Sequence, residues 1–155
     1  MNTLRKIIFK AKRISDGQWF EGNYSYREWV YGVKKDLHYI NGETDALHCY
    51  QYEIDPTTLS QFTGLYDKDG NKIWENDIVK FDVYEYEKLI SSVISDIKWC
   101  KELCSLSVVV NKQGTRGTLG HFLDLNKEVK IVGNIFDNPE LLEENLNEQY
   151  KQTFT

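Results

Sequence analysis

The apolar residues of this chain fall in short alternating runs, broken repeatedly by Gly, Asn and Asp. Ile7, Phe9 and Ala11 alternate with Lys6, Lys10 and Lys12. A period of two puts one set on each face of a strand, whereas a helix needs apolar residues three and four apart. Similar runs return at residues 19–26, 29–33, 37–40, 48–54, 78–81, 93–99, 106–110 and 129–136. Four Trp, ten Tyr and seven Phe, 14% of the chain, fill many of these positions. Such side chains suit a pleated, half-buried surface. The pattern predicts a mainly β fold built of meanders.

The breaks between runs predict its organisation. Ser15-Asp16-Gly17 is a turn, with Gly supplying a positive φ. Lys34-Lys35-Asp36 is expected to join two strands, and Asn41-Gly42 to open a loop reaching Ala46. Asp55-Pro56 is the strongest punctuation, because proline holds the residue before it extended. We place a division there, giving an N-terminal β subdomain over residues 1–55 and a second over 56–155. Residues 57–61 are expected to make a short helical turn, residues 67–72 a tight turn and residues 112–120 a glycine-containing loop. The later subdomain is expected to be a small SH3-like barrel closed by residues 129–136. A short C-terminal helix follows, with Asn138 as cap and Pro139 in its first turn. Glu140, Glu143 and Glu144 suit its positive end, and Leu141, Leu142 and Leu146 its apolar stripe. The tail beyond Tyr150 is expected to fray.

Composition excludes several classes. No run approaches the ~20 apolar residues of a membrane span, so no membrane partner is expected. Lys10, Lys12 and Arg13 fall where a signal core would lie, which predicts a non-secreted protein. Three cysteines encode no disulfide framework and fit a reducing cytoplasm. The net charge is -5, unevenly spread. Residues 1–35 carry eight basic and three acidic side chains, while the remainder carries 11 and 21. The basic strand face of Lys6, Lys10 and Lys12, near Trp19, Tyr24 and Tyr26, is therefore a candidate binding ridge for an acidic protein or for nucleic acid. The overall negative charge favours protein.

Catalytic and metal motifs are weak. Asp67, Asp69, Gly70 and Asn71 have the composition of a calcium loop but not its spacing, since the glycine falls at position 4 and Ile78 at position 12. Cys100 and Cys104 have zinc-ligand spacing without a second pair, and His48 and Cys49 alternate across a strand. No metal or cofactor is expected. His38 and His121 have no partner signature. No activated nucleophile, P-loop or dinucleotide motif occurs. Glu75 and Asp77 are the carboxylates best placed for acid–base work, although turn acids more commonly bind nearby backbone. Gln61 and Thr63 are candidate contact residues for a partner, or satisfy loop backbone.

Three segments together carry a resemblance. The first is Ile8-Phe9-Lys10-Ala11-Lys12 with Gly17, Trp19 and Gly22. The second, from Asp55-Pro56 to Ile78-Val79, contains Gln61-Phe62-Thr63-Gly64-Leu65, Asp67-Lys68-Asp69-Gly70 and Glu75-Asn76-Asp77. The third is Val132-Gly133-Asn134-Ile135-Phe136-Asp137-Asn138-Pro139-Glu140-Leu141. In order and spacing these resemble the YopX family of phage and prophage proteins. That family usually has Glu-Gly-Asp where this chain has Glu75-Asn76-Asp77, and Asn tolerates the left-handed backbone such a turn uses. Residues 84–127 contribute no segment to the resemblance. The resemblance implies a phage or prophage accessory protein in a bacterial host, and it carries no catalytic residues. The expected function is a non-enzymatic module that binds a phage or host protein or a second copy of itself. The alternatives are a nucleic-acid module using the basic strand face and an enzyme built around Glu75 and Asp77.

Overall fold

Phe9–Lys12 forms β1, a four-residue strand that is hydrogen-bonded on both sides. The computed structural model describes residues 6–45, 48–85, 88–110, 114–125 and 128–143. Expectations for Ala46, Lys112, Glu144, Leu146 and Tyr150 lie outside the described residues. The turn at Gly17 (φ 69) leads into β2, Trp19–Val30, which returns antiparallel with Phe9 opposite Gly22 and Lys12 opposite Trp19. β3, Val33–Asp45, and β4, His48–Glu53, continue the meander. Asp55 is extended as proline requires, and its carboxylate accepts from Thr57 N to start a single 3-10 turn, Pro56–Thr58. β5, Ser60–Tyr66, then pairs with the other edge of β1. The chain divides into two compact units, Met1–Gly64 and Leu65–Thr155.

The first unit is a curled sheet in the order β4-β3-β2-β1-β5. The curl brings the end of β4 back to the continuation of β1. Ile14 N donates to Glu53 O at 3.0 Å and Asp55 N to Lys12 O at 2.9 Å. Ala11, Ile40 and Ile54 are buried at its centre, with Phe9, Phe20, Tyr24, Tyr50 and Leu59 packed around them. Period two holds for Phe9 and Ala11 but not for Ile7, which is 61% exposed while Ile8 is buried. The strand begins only at Phe9; before it a bond from Phe62 N of β5 to Ile8 O at 2.9 Å ties the chain to the sheet, and the alternation is not kept.

Two turn expectations are corrected. Asn41-Gly42 lies inside β3, with Gly42 opposite Tyr50. A Cβ at Gly42 would sit 2.3 Å from the Tyr50 hydroxyl, so this glycine makes room for a ring rather than a bend. The bend lies at Tyr31-Gly32 (φ 50 and 78), and Lys34, Lys35 and Asp36 belong to β3. Two successive positive φ angles match the right-handed strand twist at a two-residue hairpin turn.

The second unit carries β6, Lys72–Trp74; β7, Asp77–Glu85; β8, Lys88–Asp96; β9, Lys98–Cys100; β10, Ser105–Val109; β11, Arg116–Thr118; and β12, Lys130–Asn134. β12-β7-β8 and β11-β10-β9 are three-stranded antiparallel sheets. Residues 93–99, expected as one strand, divide at Ile97, whose N–H turns to Asp77 O. The expected loop over 112–120 contains β11 and the start of helix α1, Leu119–Leu125. Leu119, Phe122 and Leu123, three and four apart, turn this helix onto a core of Ile73, Val79, Phe81, Val93, Ile97, Val108 and Val129. After β12, residues 140–143 are helical as expected, with Leu142 N on Pro139 O. The Asn138 carbonyl accepts from Leu141 N, while its side chain turns back to accept from Asn134 N.

Trp74, Ile78 and Val79 are buried, Trp74 to 4% exposure. Trp74→Ala should lower stability by about 3–5 kcal/mol, seen as a lower denaturant midpoint with an unchanged slope. An unchanged midpoint would contradict this packing.

Candidate functional site

The candidate residues separate into three places. On β1, Lys10 and Lys12 share one face because they are two apart. Both ammonium groups lie over the Trp19 ring, at 5.1 and 5.4 Å from its centroid. Lys10 stands opposite Glu21 on β2 and Ser60 on β5. The ridge foreseen from sequence is therefore folded onto an indole beside a carboxylate. Lys6 is exposed and precedes the strand. On β5, Gln61 pairs with Phe9 and lies on the opposite sheet face from Lys10, and Thr63 is buried.

Glu75 and Asp77 lie in the second unit, at the turn between β6 and β7. Asp77 is 2% exposed, and its carboxylate accepts from Trp74 N at 2.8 Å across that turn. Asn76 between them has φ 68, the left-handed geometry anticipated for it. Asp67 performs the same kind of work in the preceding turn. Its oxygens accept from Asp69 N, Asn71 N and Asn71 Nδ2, and from Ile131 N on β12. Burial pushes the Asp67 carboxyl up, but these donors outweigh burial and hold it below the ordinary carboxylate range.

The concave face of the first sheet is aromatic. Tyr50 stacks on Tyr52 at 4.9 Å and Phe20 tilts against Tyr52 at 4.4 Å. Arg13 lies over Phe20 and Tyr52 and pairs with Asp16. Farther along, Tyr24 and His38 share a 2.8 Å hydrogen bond and Tyr26 donates to Asp36. That bond pushes the Tyr26 hydroxyl up to about 12.

The feature that the sequence reading missed is the β2–β3 hairpin tip. Trp29 is 62% exposed, Val33 56%, and Tyr31 wholly exposed. Tyr31 also has φ 50, a costly conformation for a bulky side chain. Lys34 pairs with Glu28 at 3.4 Å, and Lys35 is exposed beside it. The available signal was Tyr-Gly at the centre of a symmetric apolar run, Trp29-Val30-Tyr31-Gly32-Val33. Toward the other end of the sheet, Asn23, Asn41, Gly42, Glu43, Cys49, Tyr50 and Gln51 line a cleft of about 460 Å³. Asn41 Nδ2 donates to Asn23 O and Ser25 Oγ, and Gln51 Nε2 donates to Asn41 Oδ1.

Two substitutions test the turns. Asn76→Gly should keep or raise stability and Asn76→Ala should lose about 1 kcal/mol, because only the alanine conflicts with a positive φ. Asp67→Asn should cost about 1–3 kcal/mol at neutral pH. The folded Asp67 carboxyl is more acidic than the unfolded one, near 3.9. Its contribution is complete above that value and is lost as pH falls through the lower folded value. Urea midpoints for wild type and Asp67→Asn should therefore converge as pH falls below the ordinary carboxylate range, and a constant gap would contradict this role.

One comparison with known proteins bears on the resemblance. A protein-family model described as YopX protein matches residues 9–143. Among curated proteins, none matches. Among solved structures, the crystal structure of protein EF1440 from Enterococcus faecalis is 18% identical, with a TM-score of 0.48 over 90% of this chain and 99% of that one. The family match spans both units and most of the sequence, and the chain belongs to the YopX family.

Proposed function

We propose that the protein is a non-enzymatic interaction module, a phage- or prophage-encoded accessory protein that works in the host cytoplasm by binding protein. The observation carrying this reading is the β2–β3 hairpin tip, where Trp29, Tyr31 and Val33 stand in solvent. Trp and Tyr are the side chains most often central to protein interfaces. Tyr31 adds a physical argument. A bulky residue at a positive φ costs stability where Asn or Gly would not, so folding alone does not explain it. The cations of β1 support protein over nucleic acid. Lys10 and Lys12 are drawn onto Trp19, and Lys10 faces Glu21, which leaves less positive field for phosphates. Asp77 is engaged with backbone in its turn, which supports a bracing role over an acid–base one.

Trp29→Ser with Tyr31→Asn should abolish protein binding while leaving the unfolding midpoint unchanged or raised, because Asn accepts the left-handed backbone. Wild type and the double variant, immobilised side by side in host lysate, should differ in the proteins they retain. Identical retention would contradict the reading. So would oligonucleotide binding at physiological salt that weakens steeply with added salt.

A further inference from the structure

We infer that one partner of the hairpin tip is a second copy of this chain, whose cleft between β2, β3 and β4 receives the Tyr31 side chain. This rests on the reading of the protein as an interaction module and names its partner. Both surfaces belong to the first unit and lie toward opposite ends of the same strand. Val33 opens β3 beside the tip, and Glu43 near the other end of β3 lines the cleft. Ten residue steps along a strand separate them by roughly 30 Å. A paired β3 cannot bend its own tip into its own cleft, so any such contact joins two molecules.

The surfaces are complementary in size, polarity and charge. The cleft of about 460 Å³ is open to solvent on one side and has room for one aromatic side chain laid into it. Its Asn41 and Gln51 amides are held in an ordered ladder, and the Gln51 carbonyl offers an acceptor to a phenolic hydroxyl. Glu43 is exposed on the cleft, and Lys35 is exposed at the tip. A contact between the tip of one copy and the cleft of another is head-to-tail, because the two surfaces lie toward opposite ends of β3. Repetition of such a contact gives a closed ring or an open filament, depending on the rotation between copies.

Cys49 lines the cleft and reports directly on its occupancy. In a Cys100→Ser/Cys104→Ser background, analytical ultracentrifugation and the rate of Cys49 alkylation by a maleimide should be followed across protein concentration. Mass should rise and Cys49 reactivity should fall together. Tyr31→Ser should raise the dissociation constant about tenfold or more. Lys35→Glu and Glu43→Lys should each weaken association about two- to fivefold, and an equimolar mixture of the two should recover part of the loss. A single-chain mass at the highest soluble concentration would overturn the inference, and lysate retention that depends on the tip would still uphold the interaction reading. Association with Cys49 fully reactive, or unaffected by Tyr31→Ser, would also overturn it by locating self-contact elsewhere. Loss of both self-association and tip-dependent retention would remove the two together.

Discussion

Strand β1 is the member on which the first unit depends. It is four residues long, yet β2 and β5 take its two edges, its last residue Lys12 bonds the 3-10 turn, and Ile14 beyond it bonds the end of β4. Backbone groups that are buried must be paired, and a short strand can satisfy so many neighbours only if the sheet curls around it. Small side chains permit the curl. Ala11 is fully buried at the centre, and a Cβ on Gly22 would come within 2.2 Å of Asn41 O. The aromatic rings of Phe20, Tyr24, Tyr50 and Tyr52 then fill the concave side that these small residues leave open.

The second unit depends more on polar clips. Arg116 on β11 bonds the Asp96 carboxylate, the Asp96 carbonyl, and both the carbonyl and the hydroxyl of Ser107. One guanidinium thereby ties the ends of β8 and β11 to the middle of β10. Asp67 does the equivalent work for the turn before β6 and the start of β12. Such multidentate charged groups are costly to bury unless every bond is made, and among the described residues no buried side-chain polar atom lacks a partner.

Local chemistry was legible in the sequence. The Gly17 turn, the extended Asp55, the helix start after Pro139 and the left-handed Asn76 each depend on a few adjacent residues. The YopX segments were legible for the same reason, since they are contiguous runs. Distant geometry was not legible. Gly42 resembled a turn because Asn-Gly usually is one, and nothing nearby announces that Tyr50 will lie against it. Helix α1 was hidden because seven residues hold only two turns of period. The exposure of Trp29, Tyr31 and Val33 was hidden because an alternating apolar run predicts a strand without saying how far it extends past its core. Trp19 could be read as a neighbour of Lys10 and Lys12, but its position under both ammonium groups depends on the β1–β2 register, which adjacent residues do not announce.

The closure of the first sheet has a consequence for the order in which the chain folds. β1, β2, β3 and β4 are joined by successive hairpins, so their pairing closes only short loops and carries little entropic cost. The bonds that complete the curl are different in kind. Lys12 N reaches Thr58 Oγ1 across 46 residues, and β5 must find the open edge of β1 after the meander has formed. The pairings of the meander are therefore the local ones, and the return of residues 53–61 is the step that closes the longer loop. Until that step occurs, the edge of β1 stands open as a template for a strand from a neighbouring chain. On a ribosome, residues 53–61 emerge after β1 to β4, so the segment that covers this edge is the last part of the curl to become available.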